Sequence, residues 1–362
     1  MKILIPFVIG LLVVGCGKKQ LVQRTTPKIE SIKPESNPVS PKALIEDPTM
    51  DEAIRGKILM DDIKGKSLEE QVKIINESES KGELTEDDLA NVTSMDLYSI
   101  GTDEMMKDVA KLKNLTSLDL QNAKITDAGM KQVAKLENLT SLNLGGTKIT
   151  GSGLNELQGL EKLDVLYLHE TSVTDAGLEK ISKLNNLTKL WLQGNNQVTD
   201  LGMKELAKLN NLKEIYLPPK ITDVGLNELT KLEKLTSLTL RDTQITDLGM
   251  KEVAKLENLT SLDLKMTQIT DVGLNELTKL EKLTTLYLQG TQVTDLGMKE
   301  VAKLANLKSI ILPPKITDVG LKELFELRKL TFLDLLDTRV TKTGVHELQK
   351  ALPKCKITHN AK

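Results

Sequence analysis

From Val92 to Leu330 a leading apolar residue returns at steps of 23, 24 or 25 positions: Val92, Leu115, Leu139, Leu163, Leu187, Leu212, Leu235, Leu259, Leu283, Leu307 and Leu330. Each opens the same wording, clearest in Leu115-Thr-Ser-Leu118-Asp-Leu120, then Ile125-Thr126-Asp127-Ala-Gly129-Met130, then Val133 and Leu136. A unit this short cannot bury its own apolar face. It buries that face against the next copy, so the repeat, about eleven units over 92–357, dictates a solenoid. Such a shape offers a long concave surface and no cleft of its own, which favours binding over catalysis.

The apolar period changes within each unit. Ser117 to Gln121 alternates, a short strand with Leu118 and Leu120 inward. Met130, Val133 and Leu136 step by three, one face of a helix. The class is therefore α/β, with a parallel sheet on the concave side and helices on the convex side. Thr-Asp recurs at 126–127, 174–175, 199–200, 222–223, 246–247, 270–271, 294–295 and 317–318. Capping of the following helix by Thr or Asp accounts for each pair locally, without a metal. Asn138, Asn186, Asn211, Asn258 and Asn306 precede the next leading Leu, where Asn suits a left-handed helix end. Thr147, Thr171, Thr243, Thr267, Thr291 and Thr338 stand where a small polar side chain can bond turn backbone. Two units lose a residue and carry Pro218-Pro219 or Pro313-Pro314, where the strand should end. Leu352-Pro-Lys-Cys355-Lys-Ile357 reads as a closing half-repeat with Cys355 a semi-buried structural thiol.

With these residues in place, the repeat resembles the ribonuclease-inhibitor-like and cysteine-containing classes of leucine-rich repeat, which include the repeats of F-box proteins. Its Thr-x-Ile-Thr-Asp-x-Gly-Leu wording is most similar to bacterial leucine-rich repeat proteins. The resemblance covers 92–357 and implies a horseshoe; it is nearly silent on ligand. No F-box-like segment precedes the repeats.

Lys2, the apolar run Ile3 to Val14 and a small-residue ending read as an export signal over 1–15, too short to span a bilayer as a helix. Val13-Val14-Gly15-Cys16 resembles the lipobox of bacterial lipoproteins. That resemblance implies that Cys16 is acylated and that the protein is exported and anchored in a bacterial envelope. Gly17-Lys18-Lys19, with no Asp after the Cys, points to the outer membrane or cell surface. Residues 16–48 carry Pro27, Pro34, Pro38, Pro41 and Pro48, five of the eleven prolines, and read as an extended tether. Residues 49–91 regain helical spacing and are expected to cap the first repeat, as Gly82 to Leu89 does in similar bacterial proteins; 358–362 is a short tail.

The sequence offers little chemistry. A net charge of −2 with 28% charged residues excludes a general nucleic-acid footprint. His169, His346 and His359 are the only histidines and none are spaced as metal ligands. Gly65-Lys66-Ser67 mimics the end of a phosphate loop, but Met60 stands where the first Gly is required. No catalytic residue, metal or cofactor is expected.

What remains is one column of outward strand positions: Asp96, Asp119, Asn143, Tyr167, Trp191, Tyr216, Thr239, Asp263, Tyr287, Ile311 and Asp334. It holds the one Trp and three of the four Tyr in a chain only 2% aromatic. Tyr167, Trp191 and Tyr216 fall on adjacent strands and make a stripe about 10 Å long. His169, Lys189, Gln193 and Glu214 would surround it, with Tyr287 further along. The rings either stiffen the sheet by stacking or contact a ligand as interface anchors. Protein is the leading partner class and glycan the other. A structural envelope protein and an enzyme accessory subunit are the rival readings.

Overall fold

The computed structural model describes residues 50, 52–55, 57 and 84–361. The export signal, Cys16, the tether and most of the expected cap lie outside these residues. Among the described residues twelve short strands form one parallel sheet whose spatial order is the chain order. They are β1 Ser94–Asp96, β2 Ser117–Asp119, β3 Ser141–Asn143, β4 Val165–Tyr167, β5 Lys189–Trp191, β6 Glu214–Tyr216, β7 Ser237–Thr239, β8 Ser261–Asp263, β9 Thr285–Tyr287, β10 Ser309–Ile311, β11 Phe332–Leu335 and β12 Lys356–His359. β12 is the strand of the closing half-repeat; it pairs Ile357 with Leu333 and runs through His359. Connections carry helices of four to seven residues, some continued by a 3-10 turn, and the last is Lys342–Ala351.

The inward positions form one continuous aliphatic core. Leu118, Leu120, Ile125, Met130, Val133 and Leu136 are buried, and their counterparts repeat down the chain without an aromatic among them. Met50 and Ile54 join the same core ahead of Glu86–Ala90, a helix whose start is fixed by a reciprocal Thr85–Asp88 capping box. At the other end Cys355 is buried, and burial pushes its thiol up to about 11.

Two ladders of polar groups tie repeats to their neighbours. The Thr of every Thr-Asp pair except Thr174 caps its own helix, as when Thr126 Oγ1 accepts from Ala128 N. The Asp does something the local capping reading missed: its carboxylate reaches into the following repeat. Asp103 accepts from the backbone N (2.9 Å) and hydroxyl (2.6 Å) of Thr126, and Asp247 does the same for Thr270 at 2.8 and 2.6 Å. The Gly two residues past each Asp makes room for this. A Cβ on Gly129 would collide with Asp103 Oδ1, and one on Gly273 with Asp247 Oδ1. The ladder skips one step, because Gly151 stands where Asp is needed and Thr174 has no side-chain cap bond.

The Asn column corrects an expectation. None of these Asn has a positive φ. They point back instead: Asn258 Nδ2 donates to Glu233 O (2.8 Å), and its Oδ1 accepts from Lys282 Nζ (2.6 Å) of the next repeat. Left-handed backbone falls three residues after the central outward strand position, at Ser99, Asn122, Gly146, Glu170, Gly194, Asp242, Met266, Gly290 and Asp337. Both Pro-Pro repeats skip that residue, since proline holds φ negative, and their strands end at Tyr216 and Ile311. The Thr column bonds the turn as expected, Thr267 Oγ1 donating to Leu264 O at 2.6 Å.

Candidate binding face

Three outward columns make up the exposed sheet face, and the first two have a default residue type. The first column is Ser in β1, β2, β3, β7, β8 and β10. The middle column is acidic or amide in five repeats, and there it has a structural job. Asp96, Asp119, Asn143, Asp263 and Asp334 each accept the backbone N–H two residues on, at 2.8–3.1 Å, pinning the turn after the strand.

β4, β5 and β6 abandon both defaults. Their first column is Val165, Lys189 and Glu214, and their middle column is Tyr167, Trp191 and Tyr216, paired in register. The Tyr167 and Trp191 rings meet edge to face with centroids 4.6 Å apart, and Tyr216 covers the other side of the indole at 4.5 Å. Glu214 locks the group: one oxygen accepts from Trp191 Nε1 (3.0 Å), the other pairs with Lys189 Nζ (3.3 Å). All three rings remain partly exposed. Burial, with the nearby Glu214 charge, pushes the Tyr216 phenol up despite a bond from Thr239.

The third column brings His169 and Gln193 beside the rings. His169 lies 6.5 Å from the indole, centroid to centroid. Burial lowers its pKa, opposed by the charges of Glu170 and Asp119. Its Nδ1 and Gln193 Oε1 are buried without a hydrogen-bond partner. Gly145 provides the seat for the imidazole; a Cβ there would run into the ring. Neither the seat nor the turn bonds of the Asp and Asn column follow from the sequence pattern, although Gly145 is the one glycine in its column.

Of the expected site residues, Tyr167, His169, Lys189, Trp191, Gln193, Glu214 and Tyr216 come together. Tyr287 does not: it stands three strands from Tyr216, about 14 Å away, with Lys265 Nζ 4.5 Å over its ring. Tyr98 lies in the third column at the N-terminal edge, where its hydroxyl accepts from Asn122 Nδ2. Cys16 lies outside the described residues. Among those residues no helix is long and apolar enough to cross a membrane.

Strand, turn, helix and a single parallel sheet repeated down the chain are an α/β leucine-rich repeat solenoid. The leucine rich repeat family model matches residues 113–173 and 233–293, and a model for two copies of the repeat matches 161–208, so these stretches carry leucine-rich repeats in keeping with the fold. Among solved structures it is similar to an internalin of Listeria monocytogenes, at 22% identity and TM-score 0.56, covering 90% of this chain and 99% of that one. It is also similar to an internalin C2 of the same organism (24%, TM-score 0.47, 75% and 94% covered) and to a leucine-rich repeat protein of Leptospira interrogans (20%, TM-score 0.39, 75% and 97% covered). No curated protein matches the sequence.

Proposed function

We propose that the chain is a non-catalytic module that binds a protein partner on the sheet face around Trp191, and that it works tethered to a bacterial envelope membrane through an acylated Cys16. One observation carries the binding reading. Three adjacent repeats give up both the Ser column and the turn bond for a preassembled aromatic cluster that adds nothing to the core. Local rules broken together on an open face mark a functional patch. Tyr and Trp are the usual anchors of interfaces, and a cluster already locked by Glu214 loses little entropy on binding. Protein suits it better than glycan: Tyr167 and Tyr216 flank the indole at 4.6 and 4.5 Å, so no flat Trp face is left for a sugar. The tether rests on the N-terminal sequence alone.

The test is capture from envelope extracts with the wild-type chain and with Trp191→Ala. The variant should keep its circular dichroism and melting temperature while partner affinity falls by about 2 kcal/mol or more. Equal capture by both chains would sink the binding patch. Separately, Cys16→Ser should move the protein out of the membrane pellet; unchanged partitioning would refute the tether.

A further inference from the structure

The residue between Asp and Gly in each Thr-Asp-x-Gly turn points to solvent at the start of the convex helix, on the flank of the solenoid. In six consecutive repeats it is Leu201, Val224, Leu248, Val272, Leu296 and Val319, each 66–72% exposed. The run has sharp ends. The preceding repeats carry Ala128, Ser152 and Ala176 at this position, and the following one Thr343. Six of the ten exposed large hydrophobics among the described residues therefore lie in one line. The fold does not call for them, because Ala128 occupies the same site in a helix capped the same way, and Ala is the better helix former than Val. Scattered exposed leucines need no explanation, but a contiguous row does.

We propose that this row is a docking surface for a second copy of the chain, laid antiparallel about a two-fold axis between Leu248 and Val272. Leu and Val alternate strictly, so reversal sets Leu201 against Val319, Val224 against Leu296 and Leu248 against Val272. Every pair joins a large residue to a small one, whereas a parallel arrangement would set Leu on Leu. The polar margins obey the same reversal. Three residues beyond each stripe position it sets Lys251 against Asn275 and Lys299 against Asn227. Four residues before, it sets Lys220 against Gln292 and Lys315 against Gln197. Gln244 meets Gln268 at the centre, and only Lys204 and Lys322 set like charges together, at the outer ends where solvent screens them. An isologous contact of this kind closes on itself and does not propagate.

The extent fits as well. A stable interface buries about 800 Å² per partner, and six aliphatic side chains two-thirds exposed, with the lysine stems beside them, supply area of that order. A lipid surface fits less well. Each aliphatic residue directly follows a carboxylate, from Asp200 to Asp318, and these six balance the six marginal lysines. The strip is neutral, with nothing to draw it to anionic headgroups.

Sedimentation equilibrium of the full-length chain carrying Cys16→Ser, which removes any acyl group, should give the mass of a dimer. Leu248→Glu with Val272→Glu should raise the dimer dissociation constant at least about tenfold with unchanged circular dichroism, because both positions are exposed. Register is read by oxidation. Leu248→Cys together with Val272→Cys should cross-link two chains, while Leu248→Cys alone should not. A monomer at high micromolar concentration, a dimer indifferent to the Glu pair, or cross-linking by Leu248→Cys alone would each overturn the proposal. So would a monomer that floats with phosphatidylglycerol vesicles and loses that property in the Glu variant, which would assign the row to lipid.

Discussion

His169 lies with its imidazole over Gly145 and 6.5 Å from the single indole, in a place that disfavours the charged ring. Burial is the larger influence, and it holds the folded pKa below the ordinary histidine value in spite of Glu170 and Asp119. In the unfolded chain His169 titrates normally, so the unfolded state takes up the proton first as pH falls. The neutral ring's contribution to stability is therefore complete above the unfolded pKa, and is lost as pH drops from there toward the folded one. Denaturant melts followed by Trp191 emission should show stability falling as pH drops below the ordinary histidine value of about 6.5, and His169→Gln should flatten that slope. An unchanged slope in the variant would show that this histidine is not the group responsible. Lying beside the rings, the same proton would also be felt by anything bound there.

Between one repeat and the next, the Asp carboxylate and the Gly that admits it form a lock whose two halves can be tested separately. Asp103→Ala strips two bonds from Thr126 and should cost about 1–3 kcal/mol. Gly129→Ala should destabilise the native chain, because its Cβ runs into Asp103 Oδ1. On the Asp103→Ala background the same change should become neutral or stabilising, since Ala is then simply the better helix former by up to about 1 kcal/mol. A double-mutant cycle reads this sign change directly, and additive costs would refute the lock. The lock also shows where sequence reading stopped. Period and alternation placed the strands, the core leucines and the outward aromatic column, because those depend on neighbours two to four residues apart. Bonds that span a whole repeat do not leave such a trace; Asp103 and Thr126 are too distant for any local pattern, so capping looked sufficient. The left-handed turn position was illegible for another reason. Its occupants include Glu170 and Met266 alongside glycines, so residue type gives no hint, and the Asn column drew the inference instead. In the site, the three rings and their polar neighbours were readable from register, whereas the imidazole seat at Gly145 depends on side-chain packing across strands.

At the scale of the whole molecule each repeat touches only its neighbours, so stability is a sum of repeat and seam contributions. The seams are not all alike. Asn211 receives Lys234, Asn258 receives Lys282 and Asn306 receives Lys329, so along this half of the chain donors and acceptors alternate with a period of two repeats. Removing residues 236–283 takes out one donor and one acceptor and rejoins like seams. Such a chain should melt cooperatively within a few degrees of the parent. Removing 236–259 alone deletes Asn258 and leaves Lys282 in the repeat next to Lys234; it should melt lower and less sharply, as calorimetry would show. Similar losses from the two deletions would mean that the seams are interchangeable. Unequal recombination within a gene of this kind therefore preserves its seams only in even steps, and the heritable unit of length is the pair.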